Sequence, residues 1–588
     1  MTQIKDTKNS PFVIGVSGHR DIHPEDVPHL RAAVAAFLRQ MRALLPDTEL
    51  RVMVGMADGA DLMVAQTVLD AGLPVDAILP MSFDEYSKDF DAASLKTMQG
   101  LLSHPEVRCV ELAPPAPGVV APAVGAASSR DAMYANLTHK LIRRSGLLLA
   151  LWDGEASTLP GGTADTVLRY LGVRSDENKD DDQLEFVDSA VDLEGALLAY
   201  WIPTRRSAQS TPASHEGPAY LSGMGDNVIQ RQREMPKRLH ASITQLNDYN
   251  QEFSALSKKG ALPSLDSLMT SLPSDMPLVD RARLERIDAQ YGKADALAVY
   301  CQKRSDRLFT FFSLMTLAMG FVYLVFEKLS SANYFLVVYL VLFLMASGLY
   351  FLLPGKRWFA NHLTYRALAE TMRAKFYLHL GDADQQVNAG EMIKLSGIDE
   401  FHGFGWISFA LQSVEGLDDE TPPSAANGAP HRASWLDSAW IENQEKYFTS
   451  KVARLERSRR RVTRLRNVVF FMVLPAVVIA LLSFSEFMHH TAVFGVVPLH
   501  NLLTFSLGIA AVLLAVWELH QSKMATLELL WQYRNQLRHF TAARMQLARS
   551  TTFNRRKAIL AELGKDSLME SYLWTIHRYH REHEPPAA

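Results

Sequence analysis

Cysteine is scarce in this sequence: Cys109 and Cys301 are the two in 588 residues. That excludes a disulfide framework and a cysteine-based zinc site, and the expectation is two reduced, buried thiols. An excess of one charge is missing too. With 60 Lys and Arg against 64 Asp and Glu, the formal net charge is −4. Bulk charge therefore gives no reason to expect a nucleic-acid partner. The opening residues MTQIKDTKNS lack the apolar stretch of a secretory leader, and none is expected. The length suggests three or four structural units at roughly 150 residues each. Charge is also absent from four long apolar runs, and this last absence organises the chain.

The runs are 308–326, 334–353, 468–485 and 502–517, and none contains Asp, Glu, Lys or Arg. A helix rises about 1.5 Å per residue and the hydrocarbon core is about 30 Å thick, so each run predicts a membrane span. The fourth run is the shortest, and Pro475 interrupts the third without having to end it. Four buried core helices would be the alternative, but two tight pairs bracketed by basic residues fit a membrane better. Lys303, Arg304 and Arg307 precede the first run, and Lys356 and Arg357 follow the second. Arg457, Arg459, Arg460, Arg461, Arg464 and Arg466 precede the third, and Lys523 follows the fourth. The tip at 327–333 holds only Glu327 and Lys328, and 486–501 has no Lys or Arg. The positive-inside rule then places both tips outside and every large polar segment, with both termini, in the cytoplasm. The lipid bilayer is thus the first expected partner, and the arginine run is read as contacting its headgroups. No charge lies inside a run, which argues against an ion-coupled transporter.

Each pair is preceded and followed by an amphipathic stretch. Residues 284–307 and 438–466 lead in, and 363–378 and 529–547 lead out, with apolar residues at three- and four-residue intervals. This reads as a loose internal duplication whose helices pack on one another or on a second copy, so a homo-oligomer is expected. In architecture the pairs resemble the SLATT family of two-span bacterial membrane modules.

The N-terminal third has a different pattern. FVIGVS (12–17), LRVMV (50–54), VDAILP (75–80), the strand within KLIRRSGLLLALWDG (140–154) and ALLAYWIP (196–203) read as apolar strands alternating with helices. Strands apolar throughout imply a parallel sheet covered on both faces, an α/β Rossmann-like domain with ligands outside the carboxyl ends of the strands. Three strand-to-helix turns there are rich in small residues: Gly15–Arg20, Gly55–Asp61 and Gly161–Ala164. Such turns let a phosphate approach backbone amides at a helix N-terminus, although tight turns also need glycine for geometry alone.

GHRD (18–21), GMADGADLMVAQ (55–66), EYSKDF (85–90), RDAMY (130–134), LLLALWDG (147–154) and GGTADTV (161–167) together resemble the SLOG superfamily. That group includes the LOG phosphoribohydrolases, the DNA-processing protein of natural transformation and the nucleotide-sensing domain of melastatin-type TRP channels. The match covers about 10–204. The resemblance implies a nucleotide ligand on Gly18, His19 and Arg20, on Gly55 through Ala57, Asp58 and Gly59 to Asp61, and on Gly161, Gly162 and Thr163. LOG enzymes cleave a glycosidic bond with the Glu of a PGG-x-G-T-x-x-E motif. Here Pro160, Gly161 and Gly162 are present, but Ala164, Asp165 and Leu168 stand where the next Gly, the Thr and the Glu would be. The expectation is binding without a matched catalytic residue. Asp165 is the nearest carboxylate, from a shifted position.

The remaining polar residues keep two readings each. Asp58 and Asp61 grip ribose hydroxyls or cap a helix. Arg20 pairs with phosphate or with a carboxylate of its own domain. His19 reads as a hydrogen-bonding neighbour, and Asp153 with Gly154 as lining the cleft. Tyr134, after Arg130 on the preceding helix, stacks on a base or packs a helix. His577, His580 and His583 share a spacing of three but read as a solvated tail. Neither a metal site nor a resident cofactor is expected.

The organisation expected is therefore a SLOG-like domain (10–204), a linker and helical connector (205–283), a first membrane unit (284–400), a linker (401–437) and a second unit (438–580). Within these, 113–127, 174–185, 205–225 and 414–434 read as loop, acidic insertion or linker, and 226–257 as a helix. The combination of resemblances implies a bacterial inner-membrane sensor that responds to a nucleotide-derived messenger by opening a pore or disrupting the bilayer, in anti-phage defence. A membrane-anchored nucleotide hydrolase and an anchored scaffold are the alternatives.

Overall fold

The computed structural model describes residues 10–113, 129–157, 159–173, 184–189, 192–193, 197–208, 217–224, 227–272, 278–352, 355–383, 404–414, 435–482, 492–493, 497–524, 526–550 and 552–580. Most of the Pro/Ala/Gly loop, the acidic insertion and the 414–434 linker lies outside these residues, as do most of the 401–437 segment and part of the 486–501 tip.

The chain opens with strand β1 (Phe12–Gly18), helix α1 (Val27–Leu44), β2 (Leu50–Val54), α2 (Ala60–Asp70) and β3 (Val75–Leu79). Then come α3 (Phe83–Tyr86), α4 (Ala92–Leu102), β4 (Val107–Glu111), α5 (Ser129–Arg144), β5 (Leu147–Trp152) and α6 (Thr163–Tyr170). Four further strands, β6 (Glu185–Asp188), β7 (Ala199–Pro203), β8 (Ala219–Gly223) and β9 (Val228–Gln232), complete one nine-stranded sheet. Its order is β4-β3-β2-β1-β5-β7-β8-β9-β6, and it is parallel from β4 to β7. Strand β8 runs antiparallel to both its neighbours. All six residues of β5 are buried, as are the first six of β1, because helices cover both faces.

The sheet crosses the boundary expected at residue 204. Strand β8 occupies part of what reads as linker and β9 the start of the helix expected from 226, so that helix begins only at Lys237, as α7 (Lys237–Lys258). The reason is pairing: β8 supplies the hydrogen-bonding edge that β7 would otherwise expose, burying Ala219, Tyr220, Leu221 and Ser222. Cys301 is buried as expected, but Cys109 is exposed on the edge strand β4.

From residue 278 the described chain is almost entirely helical. Helix α8 (Leu278–Lys328) is one helix of 51 residues, roughly 75 Å long. Helices α9 (Tyr334–Leu352), α10 (Gly355–Leu380), α11 (Trp406–Ser413), α12 (Asn443–Leu482), α13 (Leu499–Met524), α14 (Thr526–Arg549) and α15 (Phe553–His580) follow. Four of these are long and apolar enough to cross a membrane, with their apolar stretches in α8, α9, α12 and α13. This fits a multi-pass membrane protein. Helix α12 runs through Pro475 without ending.

The spans pack in a row: α9 on α8, α8 on α13 and α13 on α12. Gly320 of α8 and Gly508 of α13 sit at the central crossing. A Cβ on Gly320 would lie 2.7 Å from Val512 Cγ1, and one on Gly508 would lie 2.6 Å from Leu324 Cδ2. Below the spans, α8 packs on α10 and α12 on α14, the same relation in both units. The C-terminal stretch is not a solvated tail as far as residue 580. It is α15, packed on α10 and α14, with Tyr572 buried and hydrogen-bonded to Thr371. One continuous core joins sheet and helices, and Phe12 of β1 meets Phe409 of α11 edge-on at 5.0 Å.

Candidate functional site

Strand order reverses at β1: the chain moves outward through β2, β3 and β4, then returns to place β5 on the other side. The carboxyl ends of β1 and β5 therefore flank the crevice where open α/β sheets take ligands. His19 and Asp153 meet there. His19 Nε2 lies 3.1 Å from Asp153 Oδ1 and 3.1 Å from the Asp153 amide nitrogen. Nε2 accepts from the amide when it carries no proton and donates to the carboxylate when it does. Burial would raise the Asp153 carboxyl, but the His19 contact, the Glu155 amide and the nearby Arg206 hold it below the usual range.

The first two small-residue turns are interlocked. The Ala60 amide donates to His19 O at 3.0 Å. Gly59 has φ +74°, and a Cβ there would lie 2.1 Å from Arg20 O. Chain packing thus requires glycine at 59. Met56 is buried with φ +56°, a conformation costly for a side-chain-bearing residue and concentrated at functional sites. Asp61 lies in the first turn of α2, and its Oδ2 accepts from the Ala57 amide at 3.2 Å. Its Oδ1 is buried and takes no hydrogen bond within 3.5 Å among the described residues, while the Gly18 amide helps hold charge on the carboxyl. Burial pushes the carboxyl up to about 7 against the pull of the Ala57 amide and Arg20. Asp58 Oδ1 accepts from the Gly59 amide at 2.8 Å.

A chain of polar contacts crosses the same edge. The Arg20 guanidinium lies 5.2 Å from the Tyr134 ring centroid and donates to its hydroxyl at 3.0 Å. That hydroxyl donates to Asp89 Oδ2 at 2.6 Å. Arg130 binds Asp89 at 2.6 Å and Glu85 at 2.8 Å. Tyr86 donates from beneath to Gly55 O at 3.1 Å. Four stretches distant in sequence are thereby joined: 18–21, 55–61, 85–90 and 130–134.

The third turn reaches this assembly through Tyr134. Gly161 has φ +73°, and a Cβ there would lie 2.6 Å from Tyr134 Cβ. Gly162 is the N-cap of α6 with no side-chain cap, and Thr163 is the first helical residue. Gly154, beside Asp153, has φ +87° and faces Trp201. Asp165 is turned inward: it accepts from the Gly161 amide at 3.0 Å and pairs with Arg169 at 2.8 Å. Leu168 is buried in the core.

The edge thus presents two helix N-termini and the Arg20 cation around one crevice, an arrangement suited to an anion. Sequence reasoning missed Glu85 and Asp89 as partners of Arg130 and Tyr134; the EYSKDF run marked their place but not their role. It also missed Arg206, which pairs with Asp21 at 3.0 Å and lay in a presumed linker. No family model, no curated protein and no solved structure matches this chain.

Proposed function

We propose that the chain is a membrane-embedded sensor and effector. The SLOG-like domain binds a nucleotide-derived messenger at the crevice between β1 and β5, and the spans respond by opening a pore or disrupting the bilayer. The setting is a bacterial inner membrane, with the sheet domain cytoplasmic and the role one of anti-phage defence. The observation that carries the reading is continuity. One helix, α8, packs beneath the sheet domain and continues into the first span, so a change in the domain has a rigid element through which to act. A ligand drives such a change only by binding one arrangement better than another. Engagement of Asp165 within its own turn, and burial of Leu168, favour binding over glycosidic cleavage. The open row of spans favours assembly of several copies.

The test is dye leakage from liposomes carrying the full-length protein, with cyclic dinucleotides, ADP-ribose and NAD added singly. One of them is expected to trigger leakage that Arg20→Ala abolishes at equal incorporation. Equal leakage from both proteins would overturn the sensor reading.

A further inference from the structure

The arginine run before the third span does more than decorate a helix. Glu456, Arg460, Arg464 and Asn467 recur at three- and four-residue spacing, so with Arg459 they share one face of α12. That face meets α14, and the seam between them holds an open groove of about 400 Å³, walled on the other side by Arg534 and Leu530. Arg534 and Arg460 share a single carboxylate, Glu456, at 2.5 Å and 3.6 Å. The groove therefore brings together four guanidinium groups and one carboxylate. Its depth is fixed by the chain: Asn467 immediately precedes the apolar run at 468, and Arg466 reaches Glu518, just past the apolar run of α13, at 3.5 Å. The groove sits where the hydrocarbon ends. Guanidinium groups bind phosphate oxygens in paired hydrogen bonds, and basic pockets between helices at this level suit anionic headgroups.

We propose that the α12–α14 seam is a binding site for the headgroup of an anionic phospholipid that carries more than one phosphate. Both walls of the site belong to the second membrane unit, so an occupied groove clamps the helix leading into that hairpin against the helix leading out.

The experiment uses the full-length protein in neutral detergent, with cardiolipin as probe and native mass spectrometry as readout. The paired variants are Arg464→Gln/Arg534→Gln, which remove one cation from each wall, and Arg457→Gln/Arg461→Gln, which remove the same charge from the run outside the groove. Cardiolipin retained is expected to fall at least tenfold for the first pair and less than twofold for the second. Equal losses would reduce the effect to bulk charge and overturn the site, as would no loss from either pair. Millimolar pyrophosphate is the second arm. Little displacement of cardiolipin is expected, and full displacement would assign the groove to a soluble phosphate compound and overturn the lipid. Thermal unfolding of each variant separates lost binding from lost fold.

Discussion

Lys293 of α8 donates from Nζ to Oδ1 of Asn250 on α7 at 2.5 Å, and the same oxygen accepts from the Ser10 amide at 3.2 Å. Ser10 is near the foot of β1, the strand whose other end presents Gly18, His19 and Arg20. Asn250 Nδ2 also donates to Ser10 O and to Thr48 Oγ1, and Ser10 Oγ donates to Gln290. The crevice strand and the helix leading into the membrane are therefore tied twice, directly from Ser10 to Gln290 and through the buried Asn250 amide. Lys293 is 1% exposed, and burial holds its amine well below the ordinary lysine value. Its Nζ also lies 4.1 Å from the Tyr249 ring centroid.

Two substitutions separate this junction into parts. Lys293→Met conserves volume and leaves the Asn250 oxygen bonded to Ser10, so stability at pH 7 should change by less than about 1.5 kcal/mol. Between the lowered folded value and the ordinary lysine value, the unfolded chain binds a proton here that the folded chain has released. Wild-type stability should therefore rise with pH toward the ordinary lysine value near 10.5, and the methionine variant should lose that rise. Asn250→Leu strips partners from Ser10, Thr48 and Lys293 together and should cost roughly 2–5 kcal/mol. Thermal unfolding followed by tryptophan fluorescence between pH 6 and 9 checks both.

Asp61 gives the opposite slope. Its carboxyl titrates at about 7 when folded and near 3.8 when unfolded. Between those values the folded chain holds a proton that the unfolded chain lacks. Stability should therefore fall as pH rises from 4 to 7, by up to about 1.4 kcal/mol per pH unit, and level off above. Asp61→Asn should flatten this fall, and unfolding midpoints at half-unit pH steps would show it. A midpoint that stays constant from pH 4 to 7 in the wild type would contradict the assignment.

Much of the fold was legible in the sequence because burial on both faces leaves uninterrupted apolar runs. FVIGVS and LLLALW could be little else than central strands, and the spans announced themselves by the same absence of charge. The edges were not legible. VRCVE of β4 and EFVD of β6 each leave three residues exposed, so only pairing with a neighbour makes them strands. In the site, the turns were visible because each carries glycine. Their cohesion was not, since the contact of Arg20 with Tyr134 spans 114 residues and the pairing of Arg130 with Asp89 spans 41. Nothing local in GHRD specifies either partner.

Gly162→Asp separates fold from ligand at the third turn. Gly162 has φ −76° and ψ 171°, backbone open to any residue, and caps α6 without a side-chain bond. Asp is a favoured N-cap, but an added Cβ would lie 3.1 Å from Leu159 O, so the two effects offset and stability should stay within about 1 kcal/mol. A carboxylate at that helix N-terminus repels phosphate, and nucleotide affinity measured by calorimetry should fall at least about tenfold, or 1.4 kcal/mol. Gly161→Ala is the structural counterpart. With φ +73° and Tyr134 Cβ 2.6 Å from the added carbon, it should lower the unfolding midpoint as well.

The central crossing of the spans offers a test that leaves the crevice untouched. Gly320 and Gly508 let α8 and α13 approach closely, and these two helices are the join between the two hairpins. Lipid tails are as apolar as the side chains they would replace, so this contact rests on packing and is sensitive to shape. Gly508→Ile puts a branched side chain against Leu324 and should force the hairpins apart without adding charge or shortening a span. Insertion and topology should be unchanged, with externally added maleimide still labelling cysteines placed at Ser331 and Val493. Nucleotide binding should keep its wild-type affinity, while the leakage that a ligand triggers should fall at least fivefold. Among the described residues, Gly348 in α9 has no neighbour within 4 Å of an added Cβ, so Gly348→Ile adds the same bulk with no clash there and should leave leakage intact. If Gly348→Ile lowers leakage as much as Gly508→Ile does, the response does not pass through the α8–α13 crossing.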